Sequence, residues 1–222
     1  MTTAKFWLAS NSPRRREIIS WLGWSFQSAP ANIDESALQG EKPLAHVNRL
    51  ALGKCRVEIA AAQLGDIVIA ADTIVVLDAA ILGKPLDEQD AFKMLKSLGN
   101  RTHQVITALA VRQVGRLDVL QETCISNVQM RNYSDAEIEA YIRSGDPMDK
   151  AGGYAIQNVD FHPALGFAGC FASVMGMPLC HLERTLRILR DYDPADLADI
   201  CQKNLKYECP ITGRVLAGEN IG

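Results

Sequence analysis

A nearly uninterrupted apolar run at residues 66–71 (Asp-Ile-Val-Ile-Ala-Ala) is the feature that most constrains the fold of this chain. A strand with one face in water alternates apolar and polar residues, whereas a run without alternation is typical of a strand covered on both faces. We therefore predict a central buried strand with packing layers on both sides. Asp72 directly follows the run, so we expect it in a turn at the carboxyl end of that strand.

Turn and capping residues divide the rest of the chain into helices and strands. Ser12 is a favourable N-cap, Pro13 suits a first helical position, and Ser134 with Glu137 forms a capping box. The predicted elements are, in chain order, a strand at 5–9, a helix from 12, a helix at 43–64, a strand at 66–71 with extended residues 73–77, a helix at 88–98, strands at 102–112 and 117–130 joined through Gly115, a helix at 134–145, a strand at 167–174 and a last helix with leucines 179, 182, 186 and 189. Helices interleaved with strands, plus one long antiparallel hairpin, predict an α/β domain with a mixed, twisted sheet flanked by helices.

The composition excludes several classes of protein. A net charge of −3 argues against nucleic-acid binding, which needs a basic surface, so an anionic substrate would have to meet a local cationic pocket. No stretch reaches the roughly 18 apolar residues of a membrane span, and the first eight residues lack the apolar run of a targeting segment. The six cysteines show no CxxC pair and no disulfide-like spacing, which favours reduced thiols in a cytoplasmic protein.

Cations stand where the predicted elements end or begin. Arg14 and Arg15 occupy the opening turn of a helix, where the helix dipole disfavours cations unless an anion binds there. Alternatively, both arginines are solvated surface residues. Lys54 is in phase with the apolar stripe of its helix, so it either extends its stem along the core or faces a polar cleft.

Acidic residues accompany these cations. Asp72 follows the buried strand, where functional acids of α/β sheets are found, and Glu35 lies in a loop where it could bind a divalent cation. Lys84 lies between Gly83 and Pro85. Three lysines (54, 84 and 150), together with the two arginines, would neutralise a triphosphate, and the carboxylates would hold the metal that such substrates carry.

Several segments, in this order, resemble the Maf family. They are Ser10-Asn11-Ser12-Pro13-Arg14-Arg15, Asp34-Glu35, Leu50-Ala51-Leu52-Gly53-Lys54, Ala71-Asp72-Thr73, Ile81-Leu82-Gly83-Lys84-Pro85 and Asp149-Lys150-Ala151-Gly152-Gly153-Tyr154-Ala155-Ile156-Gln157. The resemblance implies a fold similar to the inosine triphosphate pyrophosphatases. It also implies a cytoplasmic homodimer that uses a divalent cation, Mg²⁺ or Mn²⁺, to split a nucleoside triphosphate into monophosphate and diphosphate.

The resemblance also implies residue roles. Asp72 matches the proton-accepting carboxylate, with Lys54 and Lys84 beside it as catalytic cations, and Glu35 with Asp72 matches the metal position. The substrate-binding positions implied by the family and its motifs are Ser10, Arg14, Arg15, Thr73, Lys150 and Gln157.

Arg14, Thr73 and Gln157 resemble the branch that takes dTTP and UTP, with modified pyrimidine nucleotides as further candidates. Two alternatives stay open: a pyrophosphatase for modified or purine triphosphates such as 7-methyl-GTP, and a nucleotide-binding regulator of cell division without significant catalysis. Cys170 and Ser173 replace two polar residues of the family pattern. We predict one domain over residues 1–192 and a polar, turn-rich appendage over 193–222, which lies outside the resemblance.

Overall fold

The computed structural model describes residues 4–189 and 196–221. The elements are β1 (Phe6–Leu8), α1 (Pro13–Ser20), β2 (Phe26–Ser28), α2 (Pro43–Arg56), β3 (Ile67–Leu77), β4 (Ala80–Leu82), α3 (Glu88–Leu98), β5 (Thr102–Gln113), β6 (Leu120–Met130), α4 (Asp135–Arg143), two 3-10 turns (Asp146–Asp149 and Ala151–Gly153), β7 (Ala164–Ala168), α5 (Phe171–Val174), α6 (Leu179–Ile188), α7 (Leu197–Leu205) and α8 (Thr212–Leu216). Within these residues the strands form one sheet in the order β2-β1-β3-β5-β6-β7, with β4 paired to β3. Strand β1 runs parallel to β2 and β3, and the other pairs are antiparallel. The prediction of a mixed, twisted α/β sheet flanked by helices, with the β5–β6 hairpin, is confirmed.

Strand β3 is covered on both faces, as its composition predicts. Residues 67–71 expose 2% of their surface or less. Ile67, Ile69 and Ala71 belong to a core cluster with α1 and α6, whereas Val68 and Ala70 lie in a second cluster with α2. Alternate residues of one strand thus face two different helical layers.

Asp66 holds the start of β1 against the start of β3. Its buried carboxylate accepts hydrogen bonds from the backbone N–H of Lys5 (3.0 Å), the indole Nε1 of Trp7 (2.9 Å) and the backbone N–H of Gln63 (2.9 Å). The backbone N–H of Ile67 donates to the carbonyl of Lys5 at 2.9 Å. One side chain therefore satisfies three donors and sets where the two parallel strands begin to pair.

Helix α2 ends at Arg56, eight residues before the predicted end at 64. Val57 has an extended backbone (φ −57°, ψ 132°). The guanidinium of Arg112, on β5, donates to the carbonyls of Cys55 (2.5 Å) and Val57 (3.1 Å). Arg112 thus donates hydrogen bonds to carbonyls that would accept from backbone N–H groups if the helix continued. The local sequence gives no sign of this contact.

The strand predicted at 167–174 is confirmed only for residues 167 and 168, and the rest of the prediction is wrong. Strand β7 ends at Ala168, and Phe171–Val174 is the short helix α5. Gly169 turns the chain at φ +126°, and a Cβ there would meet Ser126 Oγ at 2.5 Å. The Cys170 Sγ then accepts a hydrogen bond from the backbone N–H of Ser173, which caps α5. The glycine and this unusual cap start a helix inside an apolar run.

The C-terminal segment, predicted to be polar and turn-rich, contains two helices, α7 and α8, with turns between and after them. Helices α7 and α8 pack on α6, and Leu197 and Cys201 lie in the same core cluster as α1 and α6. Arg184 of α6 pairs with Glu122 of β6 and donates to the carbonyls of Val215 (3.1 Å) and Glu219 (2.6 Å). The predicted boundary at 192/193 lies outside the described residues, so the division into two domains stays a prediction. In the described part of the chain, no helix has the length and apolar character needed to cross a membrane.

We expect Asp66→Ala to lower the free energy of unfolding by about 2 kcal/mol or more, because one buried indole donor and two partly buried backbone donors lose their acceptor. Urea denaturation followed by tryptophan fluorescence measures the change. Asp118→Ala, at an exposed position, serves as the control and should stay within about 0.5 kcal/mol of the wild type. Equal stability of the two variants would contradict the anchoring role of Asp66.

Candidate functional site

The site lies where β1 stops and β3 continues. Strand β1 pairs with β3 only over residues 67–69, and β4 pairs with the same strand only over 75–77. Within the described residues, positions 70–74 of β3 therefore have no partner strand on this edge. On its other edge, β3 pairs with β5 continuously from Ile67 to Val76.

The prediction that Asp72 ends its strand is wrong. Asp72 lies in the middle of the eleven-residue strand β3, opposite Ala108 of β5. Pairing with β5 keeps the backbone extended through the aspartate, so no turn forms there. Ligands bind beyond the carboxyl ends of strands in open sheets, and here the strand that ends is β1, at Leu8. Asp72 is brought to that position from the neighbouring strand.

A cleft of about 740 Å³ opens at this gap in the sheet. All ten residues predicted for the site line it, namely Ser10, Arg14, Arg15, Glu35, Lys54, Asp72, Thr73, Lys84, Lys150 and Gln157. The residues come from six separate parts of the chain, so the fold brings together residues that are far apart in the sequence. Their roles in binding and catalysis remain predictions.

The cleft extends around the edge of β3 and reaches both faces of the sheet. Asp72 points toward α2, where it meets Lys54, whereas Thr73 points to the opposite face, where it meets Arg15 and Thr107. Consecutive residues of a strand project to opposite sides. A ligand in this cleft can therefore meet a carboxylate on one side of the strand and hydroxyls on the other.

Lys54 joins the two carboxylates of the site. Its ammonium Nζ lies 2.6 Å from Asp72 Oδ1 and 2.6 Å from Glu35 Oε1, and the residue is only 8% exposed. Of the two alternatives for Lys54, the structure shows the polar cleft. Burial acts to raise the pKa of Glu35, but the hydrogen bond and charge of Lys54, with the charges of Lys84 and Arg15, lower it overall.

Arg15 connects the start of α1 to β3 and to the turn after α5. Its guanidinium donates to Gly176 O (2.9 Å), Thr73 Oγ1 (3.0 Å) and Ser10 Oγ (3.3 Å). Burial lowers the pKa of Arg15, and the charge of Asp72 opposes that shift. The side chain of Ser12, the N-cap of α1, accepts from the backbone N–H of Arg15, so the first turn of the helix is held in place.

Besides Lys54, two more of the predicted cations have acidic partners in this structure. The Lys150 ammonium lies 2.9 Å from Asp146 Oδ1 and 2.6 Å from Asp149 Oδ1, and Arg14 Nη1 lies 3.4 Å from Asp149 Oδ2. Asp149 thus bridges cations from two sides of the cleft, although it is not among the residues predicted for the site. Its position at the start of the motif at 149–157, directly before Lys150, is the signal that could have found it.

A backbone hydrogen bond joins the segment that carries Lys150 and Gln157 to the loop that carries Lys84. The backbone N–H of Gly152 donates to the carbonyl of Gly83 at 2.9 Å. Gly152 has φ +69°, and a Cβ there would meet the side chain of Val75 at 3.0–3.2 Å. A glycine is needed because the backbone must turn while touching β3. This contact places Lys84 and Lys150 on the same cleft.

Five cations and three carboxylates around one cleft are typical of a site for a phosphate-bearing anion with an associated metal ion. The family described as Maf-like protein matches residues 5–189. The chain belongs to that family, as its sequence motifs indicate.

Named relatives agree with this assignment. The chain is 41% identical over 191 residues to a protein of Geobacter sp. (strain M21), covering 85% of this chain and 97% of the relative. It is 40% identical over 189 residues to one of Syntrophomonas wolfei, covering 83% and 100%. Both relatives are named dTTP/UTP pyrophosphatase.

Two solved structures show a weaker likeness. One is the Ham1 protein of Staphylococcus aureus, with a TM-score of 0.41 and 14% identity, covering 69% of this chain and 87% of that one. The other is protein VC0702 of Vibrio cholerae, with a TM-score of 0.32 and 9% identity, covering 97% and 90%. The assignment to the family rests on the sequence matches alone.

We expect Lys54→Met to raise the pKa of the Glu35 carboxyl, because it removes the hydrogen bond and the nearest charge that lower this pKa. A carboxyl ¹³C NMR titration of glutamate-labelled protein measures the shift. Lys96→Met is the control, because Lys96 pairs with Asp135 on the surface and should leave the titration of Glu35 unchanged. An unaltered Glu35 titration in Lys54→Met would contradict the ion pair.

Proposed function

We propose that this chain is a nucleoside triphosphate pyrophosphatase that hydrolyses dTTP and UTP to the nucleoside monophosphate and diphosphate. The observation that carries the proposal is the cleft beside Asp72, where five cations meet two carboxylates that share one ammonium. Relatives about 40% identical over most of the chain bear the name of this activity. The chain itself would then be a hydrolase acting on phosphoric anhydrides.

The reaction adds water to the α-phosphorus and breaks the bond between that phosphorus and the oxygen that bridges the α- and β-phosphates. The diphosphate leaves with the electron pair of that bond, so negative charge develops on the leaving group. Lys54, Lys84, Lys150, Arg14 and Arg15 are the side chains available to stabilise this charge. Lys150 and Arg14 must exchange their present acidic partners for phosphate oxygens, which the shared partner Asp149, half exposed, allows.

Asp72 is proposed to orient the attacking water and to accept its proton as the water bonds to phosphorus. A carboxylate cannot deprotonate bulk water beforehand, since their usual pKa values are about 4 and 15.7. The proton therefore moves only as the new bond forms. Lys54 keeps Asp72 Oδ1 in place at 2.6 Å, so it acts as a positioning group as well as a cation.

The acidic pair fits a divalent cation, Mg²⁺ or Mn²⁺, that arrives with the substrate. Glu35 Oε1 and Asp72 Oδ1 both lie 2.6 Å from one ammonium, so two carboxylate oxygens already converge on a single cation. Among the described residues no group of three or more His, Cys, Asp or Glu side chains could hold a metal ion unaided. Mg²⁺ commonly takes one or two carboxylates and completes its shell with phosphates and water. Such an ion would neutralise phosphate charge when bound.

The base is proposed to bind on the Thr73 side of the strand. Thr73 and Gln157 both line the cleft, as do the aromatic and apolar residues Tyr154, Ile156 and Val174. Hydroxyl and amide groups can read the edge of a pyrimidine by hydrogen bonds, and a missing partner in such a site is strongly penalised.

We also propose that the chain works as a homodimer in the cytoplasm, and that residues 193–222 form an appendage of unknown role. The family resemblance supports the dimer and the location. The family match, which ends at residue 189, supports the boundary of the appendage. Sedimentation velocity would measure the oligomeric state directly.

We expect strong diphosphate release from dTTP and UTP in the presence of Mg²⁺ or Mn²⁺, and a fall of about 10²- to 10⁴-fold in kcat for Asp72→Asn. A panel that includes purine and 7-methylated nucleotides measures the preference. Asp118→Asn is the control, because Asp118 is exposed and distant in sequence from the cleft residues.

Each other outcome of this panel has a defined meaning. Preference for a modified or purine triphosphate would keep the reaction and replace the substrate. Binding of triphosphate without release of diphosphate would favour the alternative of a nucleotide-binding regulator of cell division without significant catalysis. Near-full turnover by Asp72→Asn would contradict the role assigned to that residue.

We expect Glu35→Gln to raise the Mg²⁺ concentration needed for half-maximal activity by at least about tenfold, because one of the two charged ligands becomes neutral. Activity at saturating Mg²⁺ should recover in part. Glu139→Gln, on the exposed face of α4, is the matched control. An unchanged Mg²⁺ dependence would exclude Glu35 from the metal site.

A further inference from the structure

Thr107 is a buried hydroxyl that lies directly behind the cleft. It is 0% exposed, and its neighbours along β5, Ile106 and Ala108, are apolar core residues. In the register of the sheet it stands opposite Thr73, which does line the cleft. The only signal in the sequence is one threonine within an otherwise apolar stretch, and its partners are visible only in the folded chain.

The proton of each hydroxyl in this group can be assigned from the contacts alone. Thr107 Oγ1 lies 2.8 Å from the carbonyl oxygen of Ser173 and 2.9 Å from Thr73 Oγ1. A carbonyl can only accept, and a threonine hydroxyl has a single proton, so Thr107 donates to Ser173. Thr73 must then donate to Thr107.

The proton and lone pairs of the Thr73 hydroxyl determine which hydrogen bonds it can make with a ligand. Its proton is directed into the core, and one of its two lone pairs accepts from Arg15 Nη2 at 3.0 Å. The second lone pair has no partner among these contacts, and Thr73 lines the cleft. Thr73 is therefore a hydrogen-bond acceptor, and not a donor, toward anything bound beside it.

We propose that Thr107 is a positioning residue for substrate selection: it holds Thr73 as an acceptor, so that the site takes a pyrimidine that carries N3–H. This inference rests on the proposed function. Uracil and thymine present an N3–H donor between two carbonyl oxygens, and Gln157 supplies a donor on the same cleft. Cytosine presents a lone pair at N3, which would face the lone pair of Thr73. One mismatched polar contact of this kind reduces turnover by roughly 10- to 100-fold.

The test compares kcat/KM for UTP and CTP in the wild type, Thr107→Val and Thr107→Ser. The wild type should prefer UTP by at least about tenfold. Thr107→Val is close in shape but cannot accept, so Thr73 can turn its proton toward the cleft and the UTP/CTP ratio should shrink by roughly tenfold. Thr107→Ser keeps the hydroxyl and should keep the ratio.

Ser126→Ala is the matched control. Ser126 is also a fully buried hydroxyl that contacts the segment before α5, through the backbone of Cys170, but it has no contact with Thr73. Its loss should lower turnover of UTP and CTP equally. An equal loss for both nucleotides in Thr107→Val as well would reduce Thr107 to a structural role and overturn the proposal.

A substrate-side experiment decides the matter even if Thr107→Val does not fold. 3-Methyluridine triphosphate carries a methyl group in place of the N3 proton, so it cannot donate from N3, and equal use of it and UTP by the wild type would overturn the proposal. Equal use of UTP and CTP by the wild type would overturn the proposal while leaving the pyrophosphatase intact. Absence of diphosphate release from every nucleotide would instead overturn the proposed function, so the two failures are distinct.

Discussion

The short pairing between β1 and β3 is the constraint on which the site depends. Three residues of β1 pair with β3, and the chain then leaves the sheet while β3 continues for eight more residues. The strand stays extended because β5 holds its other edge. The unpaired edge lets one ligand reach both faces of the sheet. Asp72 and Thr73, which face opposite sides of β3, can therefore contact different parts of that ligand. Asp66, which fixes where the two strands begin to pair, therefore contributes to the site from the opposite end of β3.

Charge is distributed to suit an anionic ligand despite an acidic chain. The net charge is −3, yet five cations surround the cleft. Lys54 makes this arrangement stable, because its buried ammonium is paired with two carboxylates and not left alone in the core. The same pairing keeps Glu35 ionised, as its lowered pKa indicates, so the acidic residues stay available to a cation. Asp149 acts similarly for Arg14 and Lys150 at the other side of the cleft.

The errors made from the sequence share one physical origin. Helix α2 was predicted too long because Arg112, on a strand more than 50 residues away, takes its last carbonyls. The last strand was predicted too long because Gly169 approaches Ser126 and redirects an apolar run into α5. Asp72 was placed in a turn because strand pairing with β5 has no local signature. In each case a contact between distant residues overrode a local preference.

The sequence by itself determined the buried central strand, the helix caps at Ser12 and Ser134, the β5–β6 hairpin, the family and ten of the residues that line the cleft. These follow from local patterns, since hydrophobic period, capping and motif order are written in neighbouring residues. Only the tertiary structure decided that Asp72 lies within a strand, that Lys54 bridges two carboxylates, and that Thr107 directs the hydroxyl of Thr73. Hydrogen-bond direction and ion pairing depend on distances of about 3 Å between residues far apart in the chain, and those distances exist only once the sheet has formed.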